Sequence, residues 1–118
     1  MPLIKVQTSL AKTEKDKIDS LLKTLSSGMA KHFKKPESYV MTIFESDIPM
    51  TFGGNSNEPV CYMEIKSIGS MNPEQTKKIS QDFCQEVNQV LGVPKNRIYI
   101  EFSDAKGSMW GWNSSTFG

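Results

Sequence analysis

Directly behind the initiator methionine stands Pro2, and the residues after it, Leu-Ile-Lys-Val-Gln-Thr at 3 to 8, alternate as a β-strand does. Methionine aminopeptidase acts where the second side chain is as small as proline's, so the mature chain is expected to begin with a ring nitrogen that is an amine and not an amide. An α-amino group has an ordinary pKa of about 7.7 to 8.0, and a secondary amine starts higher. Burial in an apolar pocket and a nearby Lys or Arg both penalise the ammonium form, and a depression of about two units from these causes is common. A proton acceptor near pH 7 is the result. The bland alternative is a proline solvated at a frayed end.

Other reactive side chains are sparse. His32 is the only histidine, and Cys61 and Cys84 are far apart with no CxxC, which argues against metal binding and dithiol redox chemistry. Each cysteine reads as a small apolar residue, Cys61 in a strand and Cys84 in a helix. With 14 Lys+Arg against 13 Asp+Glu, the net charge of +1 gives no field to draw the chain to nucleic acid or anionic lipid. Small neutral or anionic ligands remain. Lysines gather in the first helix, at 12, 15, 17, 23, 31, 34 and 35, but Glu14, Asp16 and Asp19 interleave. That face therefore reads as solvated, Lys35 excepted. No cationic segment followed by an apolar run precedes the first strand, so neither a secretory signal nor a membrane span is expected, and the cytoplasm is the default compartment.

The elements that must position Pro2 come from a chain that repeats itself. At an offset of 58, Leu21 meets Ile79, Leu25 meets Phe83, Met29 meets Val87, Pro36 meets Pro94, Val40 meets Ile98 and Phe44 meets Phe102. Apolar and turn positions match over a helix and the strand after it, which argues for two copies of a β-α-β unit, about 2–46 and 60–104. At 118 residues the chain suits one domain, 1–118, burying about two-thirds of its unfolded surface. Asn72 reads as an N-cap with Pro73 first in the helix and Gln75 as box partner, and Gly92 with Pro94 closes that helix. Thr13 with Asp16 is a looser start for the first helix, and Gly28 weakens its middle. Strands are expected at about 2–8, 38–45, 59–67 and 96–103. The fold class is α+β: a four-stranded sheet with two crossover helices on one face. Residues 39–44 are apolar on both faces, so the uncovered side of the sheet calls for a partner, and closed homo-oligomeric symmetry supplies one. The loop from Pro49 to Pro59 is rich in turn formers. The tail KGSMWGWNSSTFG carries Trp110, Trp112 and Phe117, which are expected to pack on a neighbour or line a pocket.

MPLIKVQT at the start, KPESY around Lys35, MTFGG at 50–54, EIKSIG at 64–69, RIYIEFSD at 97–104 and GWNSSTFG at the end resemble the macrophage migration inhibitory factor family of the tautomerase superfamily. The resemblance covers nearly the whole chain. It implies a duplicated β-α-β fold assembled as a symmetric homotrimer with sites at subunit interfaces. It also implies a cofactor-free keto–enol tautomerase acting on phenylpyruvate-like α-keto acids and on dopachrome-type compounds. Residue by residue, Pro2 matches the catalytic base and Lys35 the lysine that holds the substrate carboxylate and lowers the amine's pKa. Ile68 matches a position whose backbone N–H meets that carboxylate, with Ser67 in the same turn. Tyr99 matches a tyrosine contributed by the adjacent subunit, and Trp112 and Phe117 match apolar pocket walls.

Departures from the family pattern bear on activity. Glu101 stands where the animal proteins usually carry an asparagine that contacts substrate from the neighbouring chain, so a carboxylate there is expected to repel an anionic keto acid or raise the pKa of Pro2. Trp110 replaces a common aliphatic residue and is expected to narrow the pocket mouth. Val60 and Met63 replace the cysteines of a CxxC, so thiol oxidoreductase chemistry is not expected. The alternative function is a cytokine-like protein engaging a host receptor, secreted without a leader, with the pocket vestigial. A third, decarboxylation or hydration, relies on pocket arginines, and Arg97 is the only arginine.

Overall fold

A computed structural model describes residues 1–118. Its elements run β1 (Leu3–Thr8), α1 (Lys15–Phe33), β2 (Met41–Glu45), β3 (Cys61–Ile68), α2 (Pro73–Leu91), β4 (Ile98–Ala105) and a hairpin of β5 (Gly111–Trp112) and β6 (Ser115–Thr116). The main sheet has the order β2-β1-β3-β4. β1 runs parallel to β2 and antiparallel to β3, and β3 runs parallel to β4. The bounds of α2 are those of α1 displaced by 58 positions, and the short 3-10 turns Glu37–Tyr39 and Lys95–Arg97 stand in the same relation.

Alternation decides which face of the sheet is covered. Ile4, Val6, Cys61, Met63 and Ile65 point to the helices and are fully buried against Leu21, Leu25, Met29, Ile79, Phe83 and Val87. Thr8 shares that face, and its hydroxyl donates to the Val60 carbonyl at 2.8 Å, so the one polar group at the end of β1 is satisfied. The opposite face carries Leu3, Met41 and Ile43 at one corner and Lys5, Glu64, Lys66, Tyr62 and Glu101 across its middle. It is thus less apolar than residues 39–44 alone suggest. Glu64 pairs with Lys66 at 2.8 Å and Lys5 at 3.6 Å, and its carboxyl is held below the usual range chiefly by Lys66.

The structure departs from the sequence reading at several boundaries. Residues 37–39 and 95–97 are 3-10 turns and not strand starts, because Pro36 and Pro94 each set an extended residue from which the chain coils once. Thr13 does not cap α1. The N-cap is Glu14, with no side-chain bond to the helix, and the Thr13 hydroxyl has no partner. Asn72 does cap α2, accepting from the Gln75 N–H at 2.8 Å. The Gln75 side chain does not close the box. It donates at 3.0 Å to the His32 carbonyl and so ties the start of α2 to the end of α1.

Candidate active site

The start of β1 is where reactive groups converge. Pro2 is buried, and its carbonyl accepts from the Met41 N–H at 3.1 Å, so the pairing of β1 with β2 begins at the N-terminus and fixes its backbone. Lys35 arrives from α1. Lys34 takes the left-handed conformation (φ 54), and the Lys35 N–H returns to the Ala30 carbonyl at 3.0 Å. This reversal lets the Lys35 ammonium reach the end of β3, where it donates to the Ile68 carbonyl and, at 3.4 Å, to the Ser67 hydroxyl. Ser67 is buried. The resemblance assigns a role to the N–H of Ile68, whereas the contact seen at Ile68 is through its carbonyl.

The same ammonium stands beside the terminal amine. That amine belongs to Met1, a primary amine standing in for the ring nitrogen one residue further in. Burial first, and then the contact and charge of Lys35, pull it from an ordinary 8.0 to about 6. At pH 7 roughly nine-tenths of such an amine is uncharged.

A cavity of about 400 Å³ opens beside Pro2, and eight of its eleven lining residues are apolar. Trp110, Trp112, Phe117 and Tyr39 are in its wall. Trp112 stacks on Phe117 at 5.5 Å, and Tyr39 meets both edge-on at 5.3 and 6.1 Å. The β5–β6 hairpin makes this wall. Asn113 and Ser114, at φ 50 and 66, form its two-residue turn, and the Phe117 N–H is shared between the Gly107 and Trp110 carbonyls at 3.1 and 3.2 Å. A larger depression of about 740 Å³ lies at the other end of β1, among residues 9–11, 47–51 and 56–59. It is open and carries two carboxylates, Asp47 and Glu58, with no basic group, which makes it the weaker candidate for a carboxylate-bearing ligand.

Tyr99 and Glu101 are not brought to this cavity. Tyr99 lies opposite Tyr62, which lies opposite Gln7, and Glu101 lies opposite Glu64, which lies opposite Lys5. At ~3.3 Å per residue and ~4.8 Å per strand, they stand roughly 19 and 14 Å from Pro2. Both side chains are exposed on the open face. Arg97 also lies outside the cavity, its guanidinium donating to carbonyls of residues 52, 55, 58 and 59. Tyr39, Leu3, Val40 and Met41 line the cavity without having been singled out from the sequence. Tyr39 belongs to the KPESY block, and its signal was there. Both cysteines are free, and burial pushes the Cys61 thiol up to about 12.

The family described as macrophage migration inhibitory factor matches residues 1–118. The chain is 35% identical over 118 residues to the macrophage migration inhibitory factor homolog of Brugia malayi, covering all of both chains. It is 33% identical over 117 residues to the homolog of Trichinella spiralis, covering 99% of this chain and 100% of that one. Among solved structures, the homologue from Prochlorococcus marinus superposes with a TM-score of 0.91 at 47% identity, over 98% of this chain and 99% of that one. A match along the whole length, over the duplicated topology and the buried proline at its start, places the chain in the macrophage migration inhibitory factor family.

Proposed function

We propose that the chain is a keto–enol tautomerase of phenylpyruvate-like α-keto acids, with dopachrome-type compounds as further substrates, using Pro2 as base and acid after removal of Met1. The observation that carries this is a buried Pro2 lining an aromatic cavity, with the Lys35 ammonium near the N-terminus, where burial and that charge lower the pKa of a terminal amine. The ring nitrogen accepts a proton from the carbon next to the ketone and returns it to the carbonyl oxygen. One C–H bond is exchanged for one O–H bond, and no cofactor takes part. Lys35, with Ser67 and the Ile68 backbone beside it, receives the carboxylate. Trp110, Trp112, Phe117 and Tyr39 enclose the ring.

The same reading includes a homotrimer. Tyr99 and Glu101 are too far from their own Pro2 to meet a substrate there, and they serve the cavity of a second copy. Leu3, Met41 and Ile43, on the uncovered face, support burial between copies, Met41 being 61% exposed in the single chain. Replacing Pro2 by Gly is expected to lower phenylpyruvate turnover by about a hundredfold or more with the fold intact, in line with a positioned base. A loss under tenfold rejects the assignment, and N-terminal mass spectrometry must find Met1 removed. The relatives' shared name supports a second reading, receptor binding through the outer surface. It expects substitutions away from Pro2 to abolish a cellular response while turnover persists.

A further inference from the structure

The segment joining β2 to β3, residues 46–60, is long for a connection without a strand or helix of its own. Its tip is a two-residue turn at Gly53 and Gly54 closed by Phe52 and Asn55, which exchange N–H···O bonds of 3.0 and 3.1 Å. The rest of its middle is organised around Arg97. The Nε of Arg97 donates to the Pro59 carbonyl at 3.2 Å, Nη2 donates to those of Asn55 and Glu58 at 2.8 and 2.9 Å, and Nη1 reaches Phe52 at 3.5 Å. Its partners are neutral peptide carbonyls, and no carboxylate stands within bridging distance. The guanidinium carbon also lies 5.7 Å from the centre of the Phe52 ring. Phe52 in turn packs on Tyr99, with ring centres 5.0 Å apart at 59°.

Tyr99 itself is 66% exposed on the open face of an edge strand, where an aromatic ring would ordinarily sample several rotamers. Here one side of it is walled by Phe52. Phe52 is held at its backbone by the loop tip, and its ring lies beside a cation that is itself anchored to the carbonyls of residues 55, 58 and 59. The backbone link is equally short, since Arg97 precedes β4 and Tyr99 is its second residue. A planar fork can span carbonyls of residues 55, 58 and 59 while stacking on a ring, and a lysine ammonium has no geometry for both.

We propose that Arg97 is a positioning residue for the substrate cavity of a second copy, acting through Phe52 to fix the Tyr99 ring that the chain presents there. This rests on the reading that Tyr99 completes a neighbouring cavity. The test is steady-state kinetics with phenylpyruvate on the full assembly for Tyr99→Ala, Phe52→Leu and Arg97→Lys, and for each of the last two combined with Tyr99→Ala. Oligomeric state is measured by light scattering throughout. On that reading Tyr99 meets the substrate away from the reacting carbon, so its loss removes uniform binding: KM is expected to rise about tenfold and kcat to stay within about threefold. Phe52→Leu and Arg97→Lys are expected to raise KM several-fold with the same split. Added to Tyr99→Ala, each changes KM by less than about twofold, because all act through one ring. An unchanged KM in Tyr99→Ala overturns the assignment of Tyr99, and the proposal with it. A raised KM in Tyr99→Ala, with Phe52→Leu and Arg97→Lys unchanged or fully additive, overturns the positioning role alone. Phe52→Leu leaves every carbonyl bond of Arg97 in place, so it carries the test if Arg97→Lys loses the assembly.

Discussion

The Tyr62 hydroxyl on β3 donates at 2.6 Å to the Glu101 carboxylate on β4 and lies 3.4 Å from Glu64. Glu101 is therefore not a free anion facing outward. It is tied to its own sheet, and its charge also acts on Lys66.

Ionising Tyr62 would set a phenolate against two carboxylates, and the bond to Glu101 is the largest of the causes that push its pKa well above the ordinary 10.0. The folded chain holds this proton more tightly than the unfolded chain. The pair's stabilisation is thus present below pH 10 and lost as pH rises through the folded value. An ultraviolet titration is expected to show a tyrosine that stays protonated well above pH 10. Glu101→Gln should bring that tyrosine down toward the ordinary 10.0. If no tyrosine of the parent chain titrates above the ordinary value, the hydrogen bond does not persist in solution.

Lys35 supplies the second prediction. An uncharged amine is the active form, so kcat/KM rises with pH along an acid limb centred on the amine's pKa. Removing a positive neighbour stabilises the ammonium and moves that limb to higher pH. Because burial is the larger cause and remains in Lys35→Ala, the limb should move up yet stop short of the value of a solvent-exposed N-terminal proline. KM should rise by at least about tenfold, the usual consequence of losing a charged hydrogen-bond partner. A limb that stays in place would separate the ammonium from the amine's titration.

How much of this was legible in the sequence depended on whether the signal was local or periodic. The 58-residue repeat, the Asn72 cap and the apolar stripes of both helices were all readable, because each rests on spacing along one segment. The start of α1 was misread because Thr13 has the right side chain for a cap and the wrong place for one. The Tyr62–Glu101 bond was invisible, since it depends on the register of β3 against β4, and the Gln75 side chain was claimed by His32 across a helix pair. Pro2 and Lys35 were marked by their residue types and blocks. Tyr39 was absorbed into a strand pattern that in fact begins two residues later, at Met41.

Gly28 looked like a flaw in α1, and the structure gives its reason. A Cβ there would meet Cε1 of Phe83 at 2.8 Å and Cζ at 3.3 Å, and Phe83 is 1% exposed with no room to retreat. Alanine gains about 1 kcal/mol in helix propensity. Overpacking a full core costs about 1–3 kcal/mol. Gly28→Ala is therefore expected to destabilise the chain by about 1 kcal/mol, read as a lower urea midpoint at constant slope. Adding Phe83→Leu should reverse part of the clash, and a more stable single variant would show that α1 and α2 are free to separate.

Both tryptophans of the chain, Trp110 and Trp112, line the Pro2 cavity, so all indole emission reports on one site. Trp112 is 52% exposed in the single chain and stacks on Phe117, which leaves its outer side open to a ligand ring. An aromatic α-keto acid seated against that side should quench emission saturably, while an aliphatic keto acid of equal charge should quench far less. The Pro2→Gly variant should keep the quenching, since the walls and Lys35 remain, and Lys35→Ala should weaken it. Phe117→Ala removes the stacking partner and is expected to raise the Kd several-fold, a loss of order 1 kcal/mol for one aromatic contact. Quenching that is linear in ligand and equal for aromatic and aliphatic acids would be collisional, and would remove the cavity from consideration as the binding site.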